Sequence, residues 1–422
     1  MYQPEVDQIM ELLKPEIIKA EVEYLRLGHN VKQVHIPDKW LQFAIGFYGS
    51  FNFHIKIEFD DGEFWMMRIR RRKGRDYPDG PLKLNLESEV ATNRILHKAG
   101  LKVPHAHLRL KDSKFHPKLI YCYQTFMNGA LWRPWYYPDT CDLPLEEPSI
   151  RLLNGIANWF LEMEKLKFDQ VGSPCFGKDE DDIIIGPLIS RHPVYTTPPY
   201  NQGPFKTAQD KWLAIIDNKI SLILSRNYCT PDRELQEYFM LKQARELVKD
   251  CEEMENPGPF YIKHDDDRFD HIRAEEETGE FTGILDWEWA YTTNKEEAFA
   301  APNGFVPADY KKGKNDILST RELALIDAYT SHGRPDLAEC VKKGRKYHRL
   351  IDFLRHDVYD VQIINALERA FLGLPDNHIG QPSTLEDWLE AMKEKFKDDE
   401  GLSTLWTYPV ATLKLPEELK NP

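Results

Sequence analysis

The chain has no CxxC pair: its six cysteines, Cys122, Cys141, Cys175, Cys229, Cys251 and Cys340, are scattered through 422 residues. A chain of this length needs no disulfide framework, so reduced, intracellular thiols are the expectation. It has no apolar run approaching the ~18 residues of a membrane span. The opening residues carry acids throughout, which excludes a signal or transit peptide. No Gly/Ser-rich or polar tract breaks a composition of 41% hydrophobic and 29% charged residues, so disorder is excluded too. Positive charge is in deficit. A formal net charge of -14 speaks against broad adhesion to nucleic acid or anionic membrane, although a local basic patch survives in such a sum. What remains is a soluble, cytoplasmic, ordered protein, large enough for two lobes. Its 12% aromatic residues are enough for substantial cores or a ring-lined cleft.

Periodicity gives the outline. Ile9, Leu12, Leu13, Ile17, Ile18, Val22 and Leu25 recur at helical spacing with Pro15 between them, which predicts two short capping helices. From Phe51 the period becomes two: FNFHIKIEF, the turn DDG and EFWMMRIRR predict a hairpin. The run ending at Gly100 predicts a helix, and KLIYCYQTFMNGALW a strand entering a connector at Asn128-Gly129. Residues 130–148 read as irregular. Beyond them SIRLLNGIANWFLEMEKL, TAQDKWLAIIDNKISLILS, RELQEYFMLKQARELVKDCEEM, RELALIDAYTSHG and DVQIINALERAFLGL predict helices. The Met and aromatic face of YFMLKQARELV is core packing rather than a cofactor site. The expected fold class is α+β: a small antiparallel-sheet lobe over residues 1–127 and a larger, mainly helical lobe over 128–422.

One stretch concentrates chemistry: YIKHDDDRFDHIRAEEETGEFTGILDWEWAY, Tyr261 to Tyr291. An isolated charge run is usually a solvated loop. Here, however, the acids follow apolar strands and are bracketed by His264 and His271. Asp286 leaves the strand GIL and Asp266 leaves FYIKH, and a carboxylate released at the end of a buried strand is well placed to hold a divalent cation. Glu-Thr-Gly-Glu between them predicts a hairpin turn, with Asp266 and Asp286 near opposite ends of a small antiparallel unit and a loop folded over them.

This arrangement resembles the aminoglycoside and choline phosphotransferase superfamily, whose signature runs H-G-D, a short loop, Asn, a hairpin and Ile-Asp-Trp. The likeness is closest to a branch abundant in filamentous fungi, where the loop reads H-G-D-D-x-x-D-H. It spans about Gly49 to Pro302, with KFDQVGS, NQGPF and EEAFAAP also matching. The resemblance implies a bilobal, protein-kinase-like fold and a small-molecule kinase moving the γ-phosphate of ATP to a hydroxyl acceptor with Mg2+. It implies Asp266 as the base and Asp286 as the magnesium ligand, with His271 where a second ligand usually stands as Asn and Asp270 beside it. Gly49 and Ser50 would close over the phosphates, Arg68 would replace the phosphate-pairing lysine, and Glu89 would pair with it. Thr125 and Met127 belong to the connector that meets adenine. Trp132, Trp135, Tyr136 and Tyr137 would stand near an acceptor pocket in the helical lobe.

Each residue also has a bland role. Arg68 in RIRRRKGR would be a solvated strand residue, facing the cleft only if Met66 does; Glu89 would be a surface acid. His264 reads as a loop brace, and His271 as either a ligand or a brace. Two departures from the family pattern, Asp265 for its glycine and Arg273 for an aliphatic residue, change the turn and the charge at the site. They keep two other classes open. One is an acyl or aminoacyl transferase using Asp266, Asp267 and Asp270, with RIRRRKGR on tRNA phosphates. The other is an inactive nucleotide-binding scaffold.

Overall fold

The computed structural model describes residues 3–37, 49, 51–72, 78–132, 135, 142–190, 199–355 and 360–406. Helices α1 (Gln3–Leu12) and α2 (Pro15–Leu25) part at Pro15, which sits in the first turn of α2, where no N–H is missed. Strands β1 (Val31–His35), β2 (Asn52–Phe59) and β3 (Phe64–Arg70) follow, then α3 (Asp79–Lys98), β4 (Ala106–Leu108) and β5 (Tyr121–Thr125). They form one antiparallel sheet in the order β1-β2-β3-β5-β4.

Strand alternation divides this sheet chemically. Phe53, Ile55, Ile57, Trp65, Met67, Ile69, Tyr121 and Tyr123 pack with Val6, Ile9, Ile18 and Val22 of α1 and α2. Buried Glu21 of α2 accepts from the Tyr121 and Tyr123 hydroxyls at 2.7 and 2.8 Å, fixing the helix on that face. The pairs His54↔Arg68, Lys56↔Met66, Arg68↔Cys122 and Met66↔Gln124 place the other set on the opposite face, under α3. Met66 and Arg68 therefore share the cleft face.

The chain passes next through β6 (Ala130–Leu131). It continues through α4 (Glu147–Met163), β7 (Ser173–Phe176), β8 (Ile183–Gly186), α5 (Ala208–Leu224) and α6 (Glu234–Lys249). Next come β9 (Tyr261–Lys263), β10 (Ile272–Ala274), β11 (Phe281–Ile284), β12 (Tyr291–Thr293) and α7 (Lys295–Ala298). The chain then runs through α8 (Thr320–Ser331), α9 (Pro335–Lys342), α10 (Arg345–Arg355), α11 (Val361–Leu372), α12 (Leu385–Lys395) and α13 (Glu400–Trp406). One core joins α4, α8 and α9 to β10 and β11; a second joins α5, α6 and α10 to α13 and takes in Tyr238, Phe239 and Met240. The architecture is the bilobal protein-kinase-like one. No helix among the described residues is long and apolar enough to cross a membrane.

The hairpin turn forms as the sequence predicts, between β10 and β11, but the two aspartates do not lie at opposite ends. β9 pairs with β12, while β10 pairs with β11 and β6. The loop carrying Asp266 enters β10 and Asp286 leaves β11, so both emerge at the open end of one hairpin, where Leu285 N donates to the His271 carbonyl at 2.9 Å.

Candidate active site

The loop between β9 and β10 has three consecutive aspartates, and each has its own cation. Asp265 accepts from Arg355 of α10, whose Nη2 lies 2.6 Å from its Oδ1 and 3.2 Å from its carbonyl. Asp266 is held on both oxygens by Arg268, at 2.9 and 3.2 Å. Asp267 accepts from Lys263 at 2.6 Å and from the Asn303 N–H at 3.1 Å. Burial pushes the Asp267 carboxyl up, but Lys263 and these hydrogen bonds hold it below its usual range. The Arg355 and Lys263 side chains are 9% and 6% exposed, whereas Arg268 is 56% exposed. Two of the three pairs are therefore buried braces, and only the counter-ion of Asp266 stands at the surface. The carboxylates are numerous because most of them shape the loop.

Both histidines are fixed in one tautomer by carbonyls, which can only accept. His264 Nε2–H donates to Leu285 O at 2.9 Å, leaving Nδ1 to accept the Asp266 N–H at 3.1 Å. Burial, then neighbouring His271, keeps the His264 ring below its usual range and neutral. It braces the loop against the end of β11, edge-on to Trp287 at 4.6 Å. His271 Nδ1–H donates to Asp266 O at 2.7 Å, and its Nε2 faces Asp286 Oδ2 at 3.4 Å and Asp270 Oδ1 at 3.8 Å.

Asp286 joins the lobes. Arg68 of β3 contacts its Oδ1, and the same guanidinium meets Glu89 of α3 at 3.0 Å and Glu288 at 3.6 Å. Gln124 donates to the same Glu89 oxygen at 2.9 Å. Burial opposes ionisation of Asp286, yet Arg68 and then His271 hold its carboxyl well below the usual range. Its φ of 62° places it in the left-handed region, a conformation aspartate tolerates better than most residues. Two residues on, Glu288 receives Arg70 and, at 3.2 Å, Asn52 Nδ2, while Arg70 lies 4.8 Å over the Trp289 ring and Phe51 meets that ring edge-on at 5.5 Å. The signal for Glu288 was in the sequence, as an acid at Asp286 plus two, but nothing there showed that it pairs with the other lobe.

Magnesium calls for oxygen ligands. Asp286 Oδ2 and His271 Nε2 lie close enough to share an ion, but the expected set of Asp286, His271 and Asp270 does not converge. Among the described residues, the one set of three His, Cys, Asp or Glu groups with ligand atoms within 4.8 Å of one another is His29, Asp60 and Asp61, at the β2–β3 turn. A cation on Asp286 and His271 would have Asp270 as a neighbour, its Oδ1 3.8 Å from the same His271 nitrogen.

Gly49 lies three residues before β2, its N–H bonded to Asn52 O at 2.9 Å and its carbonyl to Arg71 at 2.8 Å; Ser50 lies outside the described residues. Thr125 ends β5 and its hydroxyl accepts the His105 N–H at 2.9 Å. Met127 lies over Gly283 of β11, where a β-carbon would run into its sulfur. Trp132 and Trp135 are not lining residues of an open pocket: they are 6% and 2% exposed members of the main core, Trp132 donating to Ser149 at 3.1 Å. Tyr136 and Tyr137 lie outside the described residues. The basic run is not a surface patch over its described part. Arg68, Arg70 and Arg71 are buried and Arg72 pairs with Asp79, so none of the first three faces an RNA backbone.

No family model and no curated protein matches the chain. Solved structures similar to it include a macrolide 2'-phosphotransferase type I, 15% identical, covering 85% of this chain and 97% of that one with a TM-score of 0.41. A macrolide 2'-phosphotransferase from Brachybacterium faecium is 12% identical over 83% and 96% with a TM-score of 0.40. An ethanolamine kinase from Plasmodium vivax is 13% identical over 81% of both chains with a TM-score of 0.41. Likenesses this distant transfer no activity. The sheet order, the α3 acid on the cleft face and the hairpin bearing both aspartates are what make this a protein-kinase-like fold of the kind the sequence resemblance implies.

Proposed function

We propose that the chain is a small-molecule kinase that transfers the γ-phosphate of ATP to a hydroxyl. One observation carries the reading: the sheet cation Arg68, backed by Glu89, meets Asp286 at the hairpin end to which the Asp266 loop is clamped. In this reading the acceptor oxygen attacks the γ-phosphorus, the bond to the β-phosphate oxygen breaks, and the hydroxyl proton passes to Asp266. Arg268 must first leave Asp266, which its surface position permits. Arg68 exchanges a carboxylate for phosphate oxygens, and its planar fork suits both. Asp286 and His271 would hold Mg2+, which when bound neutralises charge on the β- and γ-phosphates.

The test is the melting temperature with and without Mg2+ and ATP. A ligand at 100 times its dissociation constant adds about 2.7 kcal/mol of stability. The expected result is a magnesium-dependent rise that Asp286→Asn abolishes while its own unliganded melting stays cooperative. No rise with either ATP or GTP would overturn the proposal.

A further inference from the structure

In a chain with a net charge of -14, a cation that meets no carboxylate stands out. Three of them surround one cavity of about 640 Å³, between α3, the β4–β5 edge of the sheet and the turn joining β7 to β8. Arg109 is fixed on carbonyls alone, donating to Phe115 O at 2.6 Å, Leu119 O at 3.0 Å and His116 O at 3.3 Å, so its charge is left without a counter-ion. Lys111 and Lys178 stand exposed on the rim, and neither side chain has an ion pair or hydrogen bond among the described residues.

The acids on the same walls are already engaged. Glu87 of α3 lies 3.6 Å from Lys83, one turn back on the helix, and Glu180 is held by Arg94 at 2.8 Å. Asp179 turns its Oδ1 to the Asp181 and Asp182 N–H groups of its own turn, each at 3.0 Å. The balance facing the cavity is therefore positive. Beneath the charges the floor is apolar: Leu86 and Ile120 belong to a small core under the sheet, and Leu108 and Phe176 pack against it while staying partly open. A volume in the range of small-molecule sites, an apolar floor and a few cations at the mouth form a pocket with two kinds of surface. It is also distinct from the candidate active site. Glu87 and Glu89 are two residues apart on one helix, about 200° around its axis, so α3 turns Glu89 to Arg68 and Glu87 to the cavity.

We infer that this cavity binds a small organic anion, a carboxylate or phosphate carried on an apolar body, at a site separate from the catalytic cleft. The apolar body covers Leu86, Leu108 and Phe176, and the anionic head takes the place of the carboxylate that Arg109, Lys111 and Lys178 lack. Arg109 is the anchor of the three, because its carbonyl bonds hold the guanidinium in place before the ligand arrives. The inference goes beyond the kinase reading and does not depend on it.

The experiment titrates octanoate, octyl phosphate and octyltrimethylammonium into the full chain by calorimetry at low salt, where exposed charges are least screened. The proteins are wild type, the double variant Lys111→Glu with Lys178→Glu, and Leu108→Trp, which fills the cavity. The expected result is one site for octanoate or octyl phosphate, whichever head group it prefers, and binding of the ammonium at least tenfold weaker. The double variant, altered only at exposed side chains, should bind the anions roughly tenfold more weakly. Leu108→Trp should bind neither anion, and saturating Mg·ATP should not displace them from wild type. Binding of neither anion to wild type overturns the inference, as does an ammonium that binds equally well, which would leave an apolar patch with no preference for charge. Unchanged affinity in the double variant overturns it too, and so does displacement by Mg·ATP, which would put the anion in the catalytic cleft.

Discussion

A carboxylate with a counter-ion of its own is a different reagent from one in a run of like charges. Asp265 and Asp267 are tied to buried cations, so they cannot be freed without disturbing the fold, while Asp266 is tied to an arginine that is 56% exposed. On the proposed reading, that difference makes Asp266 the one of the three neighbours that can serve as the base. Asp266→Asn is expected to lower turnover by roughly 10²- to 10⁴-fold, the usual worth of general base catalysis, with Mg·ATP affinity unchanged. Steady-state kinetics beside a binding titration decides it, and an equal loss in both would place Asp266 in nucleotide binding instead. His271 makes a second residue-scale prediction. Imidazole nitrogen suits nickel better than magnesium, whereas an amide oxygen suits magnesium. His271→Asn should therefore raise the nucleotide-dependent melting shift with Mg2+ relative to Ni2+, and an unchanged ratio would remove His271 from the metal. Much of this scale was legible beforehand: strand alternation put Arg68 on one face with Met66, and apolar strands aimed Asp266 and Asp286. The partners were not legible, because Arg68 and Asp286 are 218 residues apart and Arg355 and Asp265 are 90 apart.

Among the elements, α10 is the one whose importance the sequence hid. Periodic apolar residues announced α3, α4, α5, α6, α8 and α11, but RKYHRLIDFLR, with four Arg or Lys residues in eleven, was not among the expected helices. Its cations point inward. Arg345 is bound by Glu322 at 2.7 Å, Arg349 donates to the Tyr310 and Lys314 carbonyls at 2.8 and 2.9 Å, His348 donates to Ala301 O at 2.7 Å, and Arg355 holds Asp265. A pattern that equates charge with solvent must miss a helix whose buried face is cationic. The same helix accounts for the aspartate at 265, where the related signature has glycine: the substitution comes with a buried arginine to receive it. Arg355→Met leaves that carboxylate buried without its cation and should cost about 3–5 kcal/mol. Asp265→Gly combined with Arg355→Met should recover much of the loss, because neither charge then remains. Urea unfolding of the two single variants and the double variant measures the coupling. Strict additivity would mean that the pair contributes nothing of its own.

For the molecule as a whole, acid should act first through buried neutral histidines and only later through carboxylates. His348 is 4% exposed, and burial, then Arg345, pulls its ring down to about 3. A group whose folded pKa lies below its unfolded one binds more protons unfolded, so stability is complete above the unfolded value near ~6.5 and declines as the pH falls from there. Each unit of separation corresponds to about 1.4 kcal/mol, which makes His348 alone a contributor of several kcal/mol by pH 4. His264, also depressed by burial, adds in the same direction. Asp267 and Asp286 are depressed carboxylates; their stabilisation is present above the ordinary aspartate value and is lost only as the pH falls below it. Overall charge works the other way over the first interval, since acidification reduces a net charge of -14 and with it the repulsion within the fold. A urea midpoint that falls steadily between pH 6.5 and 4 therefore reports the histidines. His348→Gln, whose amide can still donate to Ala301 O, should flatten that limb without moving the steeper loss below pH 4. A midpoint that stays level over the interval, or an unchanged slope in His348→Gln, would mean that the α10 rail does not hold this histidine neutral. The acid sensitivity would then have to come from the carboxylates that join the two lobes.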